Sequence, residues 1–283
     1  MIRLLGTGDE AALETFLTQH ADFSMFLRSN ARAAGLEYHG HALEGDYVAA
    51  LEGERIVAVA AHCWNGMVLV QAPEQVAAVA RATVEHSRRA VTGISGPAGQ
   101  VVEARTALGL DDRPTPKFGR EELFALDLAD LVVPAPLAEG RWVCRPPRDD
   151  ELDLVIGWRV DFMIEALHRA PGPGLRDEAA ALMGLVHERR SHWLLFDAGR
   201  PVAYSAFNAV LPDIVQIGGV WTPPELRGRG YGRAVVAGSL LDARACGVTR
   251  AVLFAEREDA KRAYRGLRFT VVGEYGLLLF DGG

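Results

Sequence analysis

An α/β fold in two domains is predicted from three observations. The chain has 283 residues, 49% of them hydrophobic, enough for two cores at roughly 100–200 residues per domain. The segment 131–140 carries Pro134, Pro136 and Gly140, which interrupt any periodic pattern, so it reads as a linker near the middle. Short hairpin-joined strands come first and a helix–strand–helix run follows, the pattern of a mixed sheet built from hairpins and then a βαβ crossover.

The first half opens with Asp9 ahead of a helical pattern through Leu17. Strands follow at 47–51 and 56–62 around the turn Glu52-Gly53-Glu54, then Met67–Gln71 after Trp64-Asn65-Gly66. The second half repeats the order: a helix over 150–167, strands at 192–196 and 202–208 around Asp197-Ala198-Gly199-Arg200, and a strand at Ile214–Trp221. Gly53-Glu54-Arg55-Ile56-Val57-Ala58 and Gly199-Arg200-Pro201-Val202-Ala203 are the clearest echo of an internal repeat. A long helix over 230–246 then ends at Gly247, a residue type favoured where a helix stops. After it come a strand at Arg250–Ala255, a short helix over 259–265 ending at Gly266, and final strands at 269–275 and 276–280.

Composition narrows the function classes. The formal charge of −7 argues against a nucleic-acid partner, which requires a concentrated basic face. No apolar run approaches the ~20 residues of a membrane span, and the N-terminus lacks the apolar stretch of a signal peptide. A cytoplasmic protein is expected. Cys63, Cys144 and Cys246 are odd in number and widely spaced, which suits reduced thiols. His39-Gly40-His41 has no third ligand suggested nearby, and no metal is expected.

The informative stretch runs Val220-Trp221-Thr222-Pro223-Pro224-Glu225-Leu226-Arg227-Gly228-Arg229-Gly230-Tyr231-Gly232-Arg233. A strand ends, two prolines stop further pairing, and a glycine-rich turn opens a helix. Glycines let backbone N–H groups approach an anion, and a helix N-terminus offers unsatisfied donors and the positive end of a dipole. Arg227, Arg229 and Arg233 add charge, so a phosphate or pyrophosphate ligand is expected. A Walker A loop would need Lys and Ser/Thr after the last glycine, where Arg233-Ala234 stand. The spacing of Gly228, Gly230 and Gly232 is also not the GxGxxG of dinucleotide binders.

Arg227-Gly228-Arg229-Gly230-Tyr231-Gly232 resembles the Q/R-x-x-G-x-G/A signature of the GCN5-related N-acetyltransferase (GNAT) superfamily. Further on, Ala260-Lys261-Arg262-Ala263-Tyr264-Arg265-Gly266-Leu267-Arg268-Phe269 resembles that family's second motif, with Arg268 where a glycine usually precedes the phenylalanine. The resemblance covers about half the chain, 141–280, and implies two acetyltransferase-type α/β domains with mixed, splayed central sheets. A degenerate domain at 1–130 and a catalytic domain at 141–283 are expected. It further implies acetyl-CoA as cosubstrate, its pantetheine arm beside Val220, Trp221 and Thr222, its pyrophosphate on the loop from Arg227 through Arg233, and Ala260 facing it.

Amine attack on a thioester needs a polarised carbonyl, a neutral amine and a proton for the leaving thiolate. Tyr264, on one helical face with Ala260, is the candidate acid, since a phenol with a reference pKa near ~10 protonates a thiolate at little cost. Glu225, just past the central strand, is a candidate base. Asp161, Glu165 and His168 fall at i, i+4 and i+7 on one helical face, and Asp161 and Glu165 are candidate acceptor ligands. Deprotonation through water, without a dedicated base, stays open.

The equivalent loop in the first half, Ala72-Pro73-Glu74-Gln75, has no glycine or arginine, and Glu74 would repel a pyrophosphate. That half is not expected to bind coenzyme. The overall reading is an N-acetyltransferase acting on a primary amine of a small, cationic molecule. The alternatives are a non-catalytic acyl-CoA sensor and, more remotely, a nucleotide binder. Oligomeric state is left open.

Overall fold

The computed structural model describes residues 1–115 and 117–280, without the side chains of Lys117 and Phe118, so the last three residues of the expected 141–283 domain lie outside the described residues. In chain order the elements are β1 (Ile2–Leu4), α1 (Glu10–Thr18), α2 (Met25–Ala34), β2 (Gly45–Glu52), β3 (Arg55–Cys63), β4 (Met67–Gln71), α3 (Val76–Ser87), β5 (Gly93–Pro97), α4 (Ala98–Ala107) and β6 (Lys117–Asp127). Then follow α5 (Ala135–Ala138), β7 (Trp142–Arg145), α6 (Leu152–Ala166), α7 (Pro173–Glu188), β8 (His192–Asp197), β9 (Arg200–Val210), β10 (Ile214–Trp221), α8 (Tyr231–Ala245), β11 (Arg250–Ala255), α9 (Glu258–Arg265) and β12 (Thr270–Leu279). The chain divides into two compact units, Met1–Leu123 with Gly273–Gly283, and Phe124–Val272.

In the first unit β1, β2, β3 and β4 pair antiparallel in sequence order, and β4 pairs parallel with β5. Apolar β-branched and alanine runs in β3 and β4 are buried on both faces, as central strands require. One face packs Leu13, Phe16 and Leu17 of α1, the other Val76, Val79 and Ala80 of α3. The neighbour of β5 on its far side is β12, antiparallel, with Gly276 opposite Gly96 and Leu278 opposite Ile94. Leu278 and Phe280 are buried in this unit's core beside Ile94 and Val101.

The second unit follows the same plan. β7, β8, β9 and β10 pair antiparallel in order, and β10 pairs parallel with β11. The next strand after β11 is β6, from the middle of the chain. Asp127 at its end holds Arg250 at 2.7 Å, and Phe124 and Leu126 are buried in this unit's larger core. That core forms against α8, whose small residues Ala234, Ala237, Gly238 and Ser239 are buried together with Val235, Val236 and Leu240. The opposite face packs Val155 of α6 and Met183 of α7 on Leu194, Phe196, Tyr204 and Trp221.

The repeat is thus visible in topology: three antiparallel pairings, a helix, a parallel strand, a helix and a last strand whose far end belongs to the unit formed mainly by the other half of the chain. Three features differ from the expectation. Within 131–140, Leu131 is buried in a core and 135–138 form a helical turn, so this segment is packed chain. The final two strands are one, β12. α7 has no start signal in the sequence: its apolar residues Leu175, Ala179 and Met183 fall at i, i+4 and i+8, but Pro173-Gly174 ahead of them reads as loop. Pro173 sits at the start of the helix, where its missing N–H costs nothing.

Candidate active site

The second unit's sheet opens at β10. Pairing of β10 with β11 stops at Ile217 opposite Leu253, yet β10 continues to Trp221. On its other side the register with β9 breaks between Gly218 and Trp221, and Gly219 has φ +61°. A bulge bends the strand there. The edge of β10 from Gly218 to Trp221 therefore leaves backbone groups with no β11 partner, the arrangement an extended ligand arm can join.

Past Trp221 the chain turns through 224–226, and Gly228 and Gly230 take φ +78° and +85°. That left-handed backbone is costly for any residue with a Cβ, which explains two glycines of the motif. Gly230 caps α8, and its carbonyl receives the Ala234 amide at 3.0 Å. The amides of Tyr231, Gly232 and Arg233 precede that first helical bond and point out of the helix start. Gly232 lies against Thr222. The backbone of the loop thus fits an anion such as a pyrophosphate.

The arginine side chains are placed unequally. Arg227 donates both terminal nitrogens to Glu165 at 2.8 Å and its Nε to the Thr222 carbonyl at 3.0 Å, with its guanidinium over the Trp221 ring. Arg257, at the start of α9, reaches the same carboxylate at 3.2 Å. Arg233 runs back against Gly266 at the end of α9, with its Nε enclosed and unpartnered. Arg229 is exposed, with a long 3.4 Å bond to the Glu225 carbonyl. Tyr231 turns its ring onto Trp142 and donates its hydroxyl to Asp197, which ties the helix start to the β8–β9 turn.

Of the sequence-derived chemical candidates, Tyr264 is buried in the α8-side core, its ring edge-on to Phe124 and Phe269. Ala260, one turn earlier, packs against that core. Glu225 is exposed in the loop. Asp161 is exposed on α6 and takes no hydrogen bond or ion pair among the described residues. Arg227 first, then Arg257, hold the Glu165 carboxyl below its usual range, so it stays ionised and engaged, a poor proton acceptor. His168 leaves the shared face, because α6 ends at Ala166 and His168 takes φ +53°. No group of three His, Cys, Asp or Glu among the described residues is placed to hold a metal.

Arg159, Tyr204 and the histidines behind Tyr204, none of them singled out by the sequence, lie on the α6 side of β10. Arg159 projects from α6 with its guanidinium 5.0 Å from the Phe162 ring centre. Its Nη1 is 3.3 Å from where a Cβ on Gly219 would stand, and Tyr204 is 3.9 Å from the same point. Behind Tyr204 a polar chain runs outward: Tyr204 Oη to His192 Nδ1 at 3.3 Å, His192 Nε2 to His187 Nδ1 at 3.0 Å, His187 Nε2 to Asp149 at 3.0 Å. A cavity of about 280 Å³ lies at its outer end, lined by Pro146, Pro147, Asp149, His187, Arg190 and His192. Burial, then His187, pushes His192 down to about 4. Nothing in the spacing of these residues marks them, since their meeting depends on α6, β9 and β10 being stacked.

Sequence and structure comparisons bear on the same region. Residues 157–269 match the profile of the Acetyltransferase (GNAT) family. A comparison with curated proteins finds no match. Among solved structures, a GNAT-family acetyltransferase from Colwellia psychrerythraea is similar over 99% of this chain and 100% of its own, at TM-score 0.51 and 14% identity. A GCN5-related N-acetyltransferase from Kribbella flavida is similar over 99% and 97%, at TM-score 0.56 and 17% identity. A tandem GNAT protein from the clavulanic acid biosynthesis pathway is similar over 98% and 97%, at TM-score 0.56 and 12% identity. Such identities establish likeness of fold, here along nearly the whole chain. The chain shares the α/β fold of these proteins, one of them a tandem GNAT protein, and its residues 157–269 match the Acetyltransferase (GNAT) family.

Proposed function

We propose that the second unit transfers the acetyl group of acetyl-CoA to a primary amine of a small molecule, and that the first unit does not bind the coenzyme. The observation that carries this reading is the bulged, half-open end of β10 leading directly into the Gly230-capped start of α8. The edge of Val220, Trp221 and Thr222 would pair with the pantetheine arm. The amides following Gly228 and Gly230, with exposed Arg229, would hold the pyrophosphate; Arg227 supports the loop through Glu165, and Ala260 lines the coenzyme side. The loop after β4 lacks these features: it is Ala72 to Gln75, without glycine, entering α3 directly.

In the reaction the amine nitrogen attacks the thioester carbonyl carbon, the C–S bond breaks, and the thiolate takes a proton from Tyr264. The proton lost by the amine passes to water or to Glu225. Asp161, open on α6, would receive the ammonium form of the acceptor, whereas Glu165 is neutralised by two guanidinium groups. A second reading, an acyl-CoA binder without turnover, is favoured by the close packing of Tyr264 between Phe124 and Phe269, which also suits a purely structural tyrosine.

Free-thiol release by the full-length protein over a panel of amine classes separates the two. Turnover with at least one class is expected, and Tyr264→Phe should lower kcat by about tenfold or more, since general acid catalysis typically contributes ~10²–10⁴. Coenzyme binding with no turnover on any amine would favour the binder, and unchanged kcat in Tyr264→Phe would remove that phenol from the mechanism.

A further inference from the structure

Arg159 is a cation without a counterion. It makes no hydrogen bond and no ion pair among the described residues, and its Nε is enclosed without a partner. Glu178, the carboxylate whose charge it feels, is bound to Arg169 at 2.8 and 3.0 Å. Desolvation lowers the affinity of this guanidinium for its proton, the mark of a charge kept where solvent serves it poorly. Arg159 is half-buried, and a charge partly withdrawn from water is normally paired. Among the described residues no group does so, so the missing partner is sought in a ligand.

Its position selects which ligand. Arg159 stands over Gly219, at the bulge of β10, on the face that packs α6 and α7. The glycine loop that fits a pyrophosphate lies beyond Trp221 and opens α8, which packs on the opposite face with Tyr231 and Ala234. The coenzyme's phosphates therefore have their own site. The guanidinium lies 5.0 Å from the Phe162 ring centre, and the Tyr204 ring borders the same Gly219 position on the strand side. The guanidinium fork matches a carboxylate in a bidentate pair.

We infer that Arg159 binds a carboxylate of the acceptor, so that the molecule acetylated is an amino acid or a similar amine carrying a carboxylate. The inference rests on the acetyl-transfer reading of this cleft for the word acceptor, but the anion site itself does not.

The test offers the full-length protein matched pairs, each an amino acid and its carboxamide, with acetyl-CoA, and reads free thiol. The acid should be preferred in kcat/KM by about tenfold or more, as expected for a hydrogen bond between charged groups. Arg159→Gln should bring the ratio near one, chiefly through KM, while coenzyme A affinity by calorimetry stays at the wild-type value; Arg159→Lys should restore part of the preference. Equal use of acid and amide by the wild type overturns the inference without any variant, and so does a ratio unchanged in a folded Arg159→Gln. If no amine is turned over, the acetyl-transfer reading fails on its own. Calorimetry with a panel of N-acetylated amino acids and their amides then decides the site: binding of acids alone, lost in Arg159→Gln, sustains it, and no binding of any acid, or equal binding of both, overturns it.

Discussion

At the scale of single residues, the loop before α8 was the most legible part of the molecule. Glycine is the residue that takes left-handed backbone without penalty, so the alternation Gly228-Arg229-Gly230 reports its own conformation, and both glycines have positive φ. Replacing Gly230 by Ala should raise the KM for acetyl-CoA about five- to thirty-fold, the equivalent of the ~1–2 kcal/mol that an L side chain costs in this region. Steady-state titration of acetyl-CoA at saturating amine checks it; an unchanged KM would mean that the loop does not hold the coenzyme. Side-chain destinations were less legible. Arg227 reads as a phosphate ligand from its neighbours in sequence, yet Glu165, 62 residues upstream, takes its guanidinium. A charge next to an anion-binding loop can equally be its scaffold, and only the stacking of α6 on β10 tells which.

Among elements, β10 and α8 were readable because their signals are local: β-branched residues Ile214, Val215, Ile217 and Val220 ahead of Pro223, then small residues closing on Gly247. The polar chain from buried Tyr204 and His192 outward through His187 to exposed Asp149 joins β9, β8, α7 and the turn before α6, and no local pattern announces it. It has a thermodynamic consequence. His192 is fully buried and its folded pKa is depressed to about 4, whereas the unfolded chain protonates a histidine near ~6.5. Between those values the unfolded state binds the extra proton, so stability from the neutral side chain is complete above about 6.5 and is lost as pH falls toward 4. Melting temperature should fall across that window in the wild type, and more shallowly in His192→Gln. Parallel profiles for the two proteins would show that His192 does not titrate in this way.

At the scale of the whole molecule, the repeat was legible in the paired turns after Glu52 and Asp197, but the strand exchange was not. Nothing in the stretch 270–279 distinguishes pairing with a strand of its own half from pairing with β5, since side-chain pattern specifies a face and never a partner. Deleting residues from Gly273 onward should therefore damage the first unit: hydrogen exchange at β4 and β5 should rise sharply, and protection there at wild-type levels would refute the dependence. The exchange also sets a timetable. Gly276 receives a hydrogen bond from Ser95, 181 residues earlier in the chain. At ribosomal rates of roughly 5–20 residues per second, that span takes on the order of ten to forty seconds to synthesise. Throughout that interval the outer edge of β5 has emerged and has no strand to receive, so the unit made first is the one completed last, and a nascent chain stalled anywhere in its second half presents an open edge to other strands.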